Sequence, residues 1–260
     1  MSKKYTPYYR GKRDRNLIKS IPFIHNRIKE NLYIKYAKSP LLELSGGRGR
    51  DLYKYKNAEI KKIYFIDIDK DALNEAKKLY EQEYMSDFKV YFFKRNLRKP
   101  LKLKTDISFN TVSIQFAIHY FLGNESMINI LFQNIDRYLN ENGIFMATFL
   151  DGQKIFDILK NGDLIAKKQN KTQYSIIRMY NKSEKFEKYG QKIRVYFVSI
   201  GSHDEYLVNV DYLISIFKDR YEIVSNELFD IAKITDRKIN KNEKKWIELN
   251  RQLILKKIKN

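Results

Sequence analysis

The sequence predicts an α/β fold in which a mostly parallel, doubly wound sheet carries helices on both faces. Short apolar runs, typical of buried strands, alternate with longer segments of helical periodicity through the first 150 residues. A glycine-rich turn follows the first apolar run, and an acidic residue lies near the end of the second. Because parallel strands need crossover connections, this alternation indicates one open sheet with right-handed crossovers.

The elements of the first half follow from the spacing of apolar residues. A helix is expected from Asn16 to Lys38, with Pro22 suiting its start, because apolar residues recur there near helical spacing. Further helices are predicted after the glycine turn, over Lys70–Glu83, and in ESMINILFQNIDRYLN, which the turn ENG closes. The strands between them are predicted in PLLELS, KIYFIDID, FKVYFF, FNTVSIQFA and IFMATFLDG.

The second half of the chain is less regular in its patterning. Residues 153–187 are charged and weakly periodic, and we predict no helix or strand there. Beyond them, KIRVYFVSI is strand-like, NVDYLISIFKDR is a capped amphipathic helix, and YEIVSNELF and RQLILKKI are two late antiparallel strands. The sequence contains no repeat or domain-splitting linker, so we expect residues 16–260 to form one domain after a basic, partly flexible arm, residues 1–15.

Composition limits the classes of protein to consider. Hydrophobic residues make up 43% of the 260 residues, which is enough to build a packed core. There is no apolar run of about eighteen residues and no secretory leader, so we expect a soluble, intracellular protein without a membrane partner. With no cysteine and only three histidines, which show no HExxH spacing, we predict no disulfide and no metal site.

The charge of the chain is strongly positive. Fifty-one Lys and Arg residues against thirty-one Asp and Glu residues give a net charge of +20. Such a surface attracts polyanions, so nucleic acid is the leading partner. The alternative is a solvated cationic surface that reflects biased composition only.

The turn LLELSGGRGRD, residues 41–51, lies where ligands bind in open parallel sheets. Gly46, Gly47 and Gly49 let a ligand approach the backbone closely. Glu43 adds a negative charge, which argues against a phosphate cradle, and no Gly-Lys-Ser/Thr follows as in a P-loop.

Asp67 ends the second predicted strand, twenty residues beyond Gly47. A carboxylate at this position is placed to accept hydrogen bonds from both ribose hydroxyls of a nucleoside. An acid near a glycine turn suits the cationic cofactor S-adenosylmethionine better than NAD, which would need a pyrophosphate site. The alternative is a tight structural turn in an inactive relative of such a fold.

Four segments in order, LLELSGGRGRDLYKY, IYFIDID, SIQFAIHYF and EYLVN, resemble the mRNA cap (guanine-N7) methyltransferases. The likeness spans residues 16–251 and is greatest to the methyltransferase domains of capping enzymes of large cytoplasmic DNA viruses or related cytoplasmic elements. It implies a class I S-adenosylmethionine-dependent methyltransferase fold, Rossmann-like, with a mostly parallel seven-stranded sheet. It further implies S-adenosylmethionine as cofactor, S-adenosylhomocysteine as product, the capped 5′ end of mRNA as partner, and a cytoplasmic location.

The resemblance also assigns residues by position. His119, Tyr120 and Glu205 are expected to position the reactants without acting as acid or base, because nitrogen 7 of guanine already carries a free lone pair. Together with Glu43 from the turn, the residues expected at the cofactor are Lys29, Ser45, Gly47, Asp67, Asn96, Gln115 and Tyr120. Those expected at the cap are Asn26, Arg48, Lys54, His119 and Glu205, drawn from both residues 16–150 and residues 190–260, with the two basic residues near its phosphates.

The sequence departs from the family's pattern at several positions. Ser45 replaces the first glycine of the turn, which is tolerable if its backbone angles are ordinary, and Asn96 replaces an acid after the third strand. A basic residue expected after Asp67 falls on Leu79, for which Lys77 or Lys78 is expected to substitute. The family's late tyrosine has no clear counterpart in RQLILKKIKN, so one wall of the cap pocket lacks its expected residue. Asp51 is expected to support the following helix N-terminus electrostatically.

Two other functions fit the same fold. One is a methyltransferase acting on another RNA position or on a small molecule. The other is a non-catalytic RNA-binding or stimulatory subunit, in which the glycine turn and the ribose acid would be expected to have decayed. Further capping-enzyme domains or a stimulatory subunit are candidate partners.

Overall fold

A computed structural model describes residues 17–103 and 107–258. The predicted basic arm lies outside these residues. The strands are β1 (Leu41–Leu44), β2 (Lys62–Asp67), β3 (Lys89–Lys94), β4 (Phe109–Gln115), β5 (Leu139–Leu150), β6 (Leu164–Lys168), β7 (Lys171–Arg178), β8 (Lys192–Phe197), β9 (Gly201–Tyr206), β10 (Tyr221–Leu228) and β11 (Asn250–Lys257).

Helices connect most of these strands, and a short 3₁₀ turn, Ile118–Phe121, follows β4. No helix among the described residues is both long and apolar enough to span a membrane. The helices are α1 (Ser20–Tyr36), α2 (Leu52–Asn57), α3 (Lys70–Glu83), α4 (Glu125–Tyr138), α5 (Gly152–Lys160), α6 (Val210–Phe217) and α7 (Lys241–Ile247).

The main sheet has seven strands in the order β3-β2-β1-β4-β5-β11-β10. Neighbouring strands from β3 to β5 pair in parallel, whereas β11 pairs antiparallel with both β5 and β10. The predicted mostly parallel seven-stranded sheet and the two late antiparallel strands are therefore confirmed. The strand order leaves β1 and β4 side by side at the point where the chain reverses its direction across the sheet, which is where ligands bind in such folds.

Two apolar cores lie on opposite faces of this sheet. Side chains of β1 alternate between them, because successive residues of a strand point to opposite faces: Leu41 packs with α1 and α2, and Leu42 packs with α4. The first core also receives the buried face of a second sheet. The predicted arrangement of helices on both faces is thus confirmed.

Short polar residues begin several of the helices. The Asp69 carboxylate accepts from the backbone N–H groups of Asp71 and Ala72, and the Asn209 side chain accepts from that of Tyr212 at 3.0 Å. These caps satisfy backbone donors that a helix start leaves without partners. The capped helix predicted in NVDYLISIFKDR is confirmed as α6.

The second sheet, in the order β6-β7-β8-β9, contains the main difference from the sequence prediction. We predicted β8 but no element in residues 153–187, which hold α5, β6 and β7. The hairpin between β6 and β7 turns through Gln169 and Asn170, both with positive φ, where Asn-Gly is the usual signal. Strand β6 buries alternate residues, β7 buries polar Gln173 and Ser175 beside its apolar residues, and both strands carry lysines, so their apolar pattern is weak. Another difference is that β5 begins at Leu139, before the turn we expected to precede it.

Candidate functional site

A cavity of about 1060 Å³ opens at the carboxyl edge of the parallel strands. The turn after β1, the ends of β2 and β4, and the 3₁₀ turn form one side of it. Strands β8 and β9 of the second sheet, together with parts of α1 and α7, form the other. The cavity therefore lies between the main sheet and the second sheet, of which only β8 was predicted.

The turn between β1 and α2 lies against the end of β2. Gly46 donates its backbone N–H to the Ile66 carbonyl at 3.0 Å, and a Cβ at Gly46 would overlap the ring of Phe65. Ser45 and Gly47 both have φ of 60°. Ser45 would be tolerable here with ordinary backbone angles, and that condition is not met: a residue with a side chain occupies the left-handed region, at a cost of about 1–3 kcal/mol.

Asp67 is buried at the end of β2 and lines the cavity. One carboxylate oxygen accepts from the backbone N–H of Gly47 at 2.8 Å, and the other accepts from that of Asp69 at 2.8 Å. Burial raises the pKa of Asp67, and these two hydrogen bonds act against that rise. Each oxygen retains a second lone pair, so the group still has acceptors for two hydroxyl groups of a ligand.

A chain of buried hydrogen bonds ends at Glu43 in the cavity wall. The Tyr33 hydroxyl donates to Glu43 Oε2 at 2.7 Å and lies 2.9 Å from Ser113 Oγ. Gln115 donates to Ser113 Oγ at 3.0 Å and accepts from the Thr148 hydroxyl at 2.8 Å. Burial raises the pKa of Glu43 to about 8, so this carboxyl, which we expected to be negative, is largely protonated at neutral pH without a cationic ligand.

Lys29 and Lys54 share the carboxylate of Asp51. The Lys29 ammonium lies 2.6 Å and 2.8 Å from its two oxygens, and the Lys54 ammonium lies 2.5 Å from one of them. Lys29 lines the cavity as predicted, but Lys54 is fully buried and does not. The expectation that Lys54 faces a ligand's phosphates is therefore wrong. Asp51 makes no side-chain cap hydrogen bond to α2, so its bonds go to the two lysines instead.

Glu205 lies between two histidines at the far end of the cavity. Its Oε1 is 2.5 Å from His203 Nε2 and 3.5 Å from His119 Nε2. Burial lowers the pKa of His119, so its ring is neutral at neutral pH. Burial alone would raise the pKa of Glu205, but attraction to His119 in its charged form and the hydrogen bond with His203 outweigh burial and lower that pKa. With His119 neutral, His203 is the neighbour that stabilises the Glu205 carboxylate in the cavity wall.

The remaining predicted residues differ in their placement. Arg48, Asn96 and Tyr120 line the cavity, and the Tyr120 ring meets the His119 ring edge-on at 4.1 Å. Asn26 lies behind the cavity wall, where its amide oxygen accepts from Lys54 at 3.1 Å. Lys77, expected to substitute for the missing basic residue, is paired with Glu81 and does not line the cavity. Leu79, at the position itself, packs against the core.

Comparison with known proteins assigns the family. Residues 2–259 match the mRNA (guanine-N(7))-methyltransferase domain. The chain belongs to this family. The predicted family is thereby confirmed, and the predicted class of enzyme, an S-adenosylmethionine-dependent methyltransferase of mRNA capping, is that of the family.

Curated relatives include viral and fungal proteins. The chain is 26% identical over 247 residues to a probable mRNA-capping enzyme of Acanthamoeba polyphaga mimivirus, with 79% of this chain and 21% of that protein covered. It is 32% identical over 155 residues to an mRNA cap guanine-N(7) methyltransferase of Saccharomyces cerevisiae, with 56% of this chain and 36% of that protein covered. This methyltransferase domain therefore spans only a fraction of the length of the relatives it matches.

Solved structures agree on the fold. The CcbJ methyltransferase from Streptomyces caelestis superposes with a TM-score of 0.61 at 15% identity, covering 90% of each chain. The glycopeptide N-methyltransferase MtfA complexed with S-adenosylmethionine gives a TM-score of 0.54 at 12% identity, covering 91% of this chain and 94% of that one. The predicted fold class is thus confirmed.

Several cavity residues of this methyltransferase domain escaped sequence reasoning. His25 stacks on Phe116 with ring centroids 5.0 Å apart, and burial together with nearby Lys29 lowers its pKa to about 3. Trp246 and Asn250 also line the cavity. Only His203, two residues before Glu205 on the same face of a strand, carried a signal that period-two alternation could have revealed.

Replacing Gly46 with alanine should lower the free energy of unfolding by about 1–3 kcal/mol, because the new methyl group overlaps the Phe65 ring. Urea denaturation measures this change. The Gly46→Ala, Phe65→Leu double variant should lose less stability than the two single variants summed, since the smaller side chain relieves the overlap. Strict additivity would contradict this account of the turn.

Removing the Glu43 acid should change how stability depends on pH. The pKa of Glu43 is raised on folding, so the wild-type protein should lose stability as pH rises from its unfolded value near 4.5 through about 8. The slope reaches about 1.4 kcal/mol per pH unit. Glu43→Gln should lack this component, which urea denaturation of both proteins from pH 5 to 9 measures. Parallel pH profiles would show that Glu43 ionises normally.

Proposed function

We propose that this domain transfers a methyl group from S-adenosylmethionine to nitrogen 7 of the guanine cap of mRNA. The observation that carries the proposal is one continuous cavity with two chemically different ends. Asp67, Glu43 and Lys29 line one end, beside the β1–α2 turn, and His119 and Glu205 line the other, where the 3₁₀ turn meets β9. A nucleoside cofactor and a purine acceptor can therefore lie beside each other in one enclosed space.

The first end fits S-adenosylmethionine. Asp67 offers two acceptors for the ribose hydroxyls, and the Lys29 ammonium suits the carboxylate of the cofactor's amino acid. Glu43 suits the cofactor's positive charges, which would favour its ionised form. When bound, the cofactor supplies an electrophilic methyl group on its sulfonium. Ser45, Gly47, Asn96, Gln115 and Tyr120 complete the expected contacts.

The second end fits a guanine base. The Glu205 carboxylate can accept from the ring and exocyclic N–H groups of the base and offset the positive charge that methylation creates. His119, with its pKa lowered, is a neutral ring that bounds the base together with Tyr120. No proton leaves nitrogen 7 before it attacks, so these residues act by positioning, which can contribute about 7–11 kcal/mol.

The phosphates of the cap and of the first nucleotides fit the arginines at the cavity. Of the two basic residues expected at the phosphates, Arg48 lines the cavity, where it also lies 3.4 Å from Glu75, whereas Lys54 is buried. Arg50 and Arg98 are exposed and line the same cavity. Guanidinium groups bind phosphates in a bidentate manner, and such contacts carry no sequence preference. Sequence-independent binding of capped RNA follows.

The viral relative supports further proposals about context. A mimivirus capping enzyme is much longer than this chain, so we include other capping-enzyme domains or a stimulatory subunit among the partners. The same likeness supports action in the host cytoplasm, in a virus factory or in a virion. Neither proposal bears on the chemistry at Glu205.

Two variants should separate the two ends of the cavity. Asp67→Ala should weaken S-adenosylhomocysteine binding about tenfold or more, because the ribose hydroxyls lose their acceptors. Glu205→Gln should bind S-adenosylhomocysteine normally and lose roughly a hundredfold in kcat/KM on capped guanosine. Calorimetry and a methyl-transfer assay measure these effects, with Glu222→Gln, an exposed acid outside the cavity, as control.

The acceptor decides between the alternatives. Transfer to capped RNA and to a guanosine cap analogue, with none to uncapped RNA or bulk transfer RNA, is the expected result. If the protein methylated transfer RNA or a small molecule instead, the proposed acceptor would be wrong, and the domain would be a methyltransferase with another substrate. Binding of RNA without any transfer would make the domain a non-catalytic subunit.

Salt should affect the two ligands differently. Raising the salt concentration should weaken binding of capped RNA steeply, with a logarithmic slope of about −0.7 for each phosphate contacted. Binding of S-adenosylhomocysteine, which has no phosphate, should change little. Fluorescence anisotropy and calorimetry across a salt series measure both. An RNA profile as flat as that of the cofactor would rule out the basic surface as an RNA site.

A further inference from the structure

The cluster around Asp51 holds more positive than negative charge. The Asp51 carboxylate is bonded on one side by Lys29 and on the other by Lys54. Lys54 also donates to Asn26 at 3.1 Å, and its ammonium lies 4.1 Å from the centre of the Tyr53 ring. Two ammonium groups on one carboxylate leave a net charge of about +1 when all three are ionised.

Lys54 has no access to a ligand of its own. Its side chain is 0% exposed and does not line the cavity, whereas Lys29 and Asp51 both do. Lys54 therefore acts on a ligand without contact, through its bond to Asp51 and through its charge. Burying a charge costs several kcal/mol, and an apolar residue would pack in α2 without that cost. Packing alone therefore gives no reason for a lysine at this position.

We propose that Lys54 is a positioning residue that shares Asp51 with Lys29 and so keeps the cluster of these three groups positive toward the carboxylate of the cofactor's amino acid. This inference rests on the proposed function, in which that end of the cavity takes S-adenosylmethionine. Without Lys54, Lys29 and Asp51 form a neutral pair, and the Asp51 carboxylate, which also lines the cavity, opposes an incoming anion.

The other charged groups near Lys29 do not replace Lys54. Glu43 lies across the same cavity, and its ionised form would attract Lys29 away from an anionic ligand. His25 has its pKa lowered to about 3 and is neutral. Arg27 is occupied by Glu30, at 2.9 Å. Within the described part of α1 and α2, Lys54 is thus the basic group besides Lys29 that binds Asp51 and offsets its negative charge.

The test compares two ligands that differ by one carboxylate. S-adenosylhomocysteine carries it, and decarboxylated S-adenosylhomocysteine keeps the nucleoside, the thioether and the ammonium. Lys54→Met should weaken S-adenosylhomocysteine about tenfold or more, since the cluster of Lys29, Asp51 and Lys54 loses its net positive charge. It should change the affinity for the decarboxylated ligand less than about twofold. Titration calorimetry on the whole chain measures both.

Two further variants make the result specific. Lys56→Met, on the same helix with its side chain 53% exposed, removes the same charge and should leave both affinities unchanged. Asn26→Asp keeps Lys54 but gives it a carboxylate of its own, so the cluster becomes neutral. It should reproduce the selective loss of S-adenosylhomocysteine even if Lys54→Met fails to fold.

Other results would overturn the inference. If Lys54→Met and Asn26→Asp weakened the binding of both ligands equally, Lys54 would have a structural role only. If they changed neither affinity, Lys54 would have no role in binding the cofactor. A wild-type protein that binds the two ligands equally well would lack carboxylate recognition altogether. None of these results affects the proposed function, which fails instead if the wild-type protein transfers no methyl group to capped guanosine.

Discussion

The fit of the β1–α2 turn against the end of β2 is the constraint on which the cavity depends. The backbone N–H groups of Gly46 and Gly47 bind the Ile66 carbonyl and the Asp67 carboxylate, at 3.0 Å and 2.8 Å. These bonds hold the turn open toward the cavity and orient Asp67 at the same time. The Phe65 ring fills the space beneath Gly46, so there is no room for a larger side chain at either position. The left-handed conformation of Ser45 persists because these contacts on both sides determine it.

Ionisable groups in the cavity wall are mostly held by one another. Asp51 joins two lysines, Glu205 lies between two histidines, and Glu43 accepts from Tyr33. Unpaired charges at such depth would be costly, and the pairs leave each end with a different character. The end near β1 presents Lys29, whereas the end near β9 presents an anion. A cofactor with an amino acid and an acceptor with N–H donors match these two ends.

The sequence predicted more of the main sheet than of the cavity. Apolar runs and glycine signals are local, so β1 to β5, Asp67 and the turn could be located without tertiary information. The hairpin through Gln169 and Asn170 lacked the usual glycine and was missed. The resemblance placed Lys54 near the phosphates, and its burial could not be foreseen because neither the residue type nor its position in the motif indicates burial. His25 and Trp246 gave no signal, since neither belongs to a motif.

By itself the sequence determined the alternation of strands and helices, the glycine turn, the acid at the end of β2 and the family likeness. Each of these depends on neighbours within a few residues along the chain. Tertiary structure alone decided that Lys54 turns inward to Asp51, and that Glu205 on β9 meets His119 after β4. The reason is physical: burial depends on which elements pack around a side chain. For Lys54 that is α1 against α2, and for Glu205 and His119 it is the packing of β9 against the 3₁₀ turn.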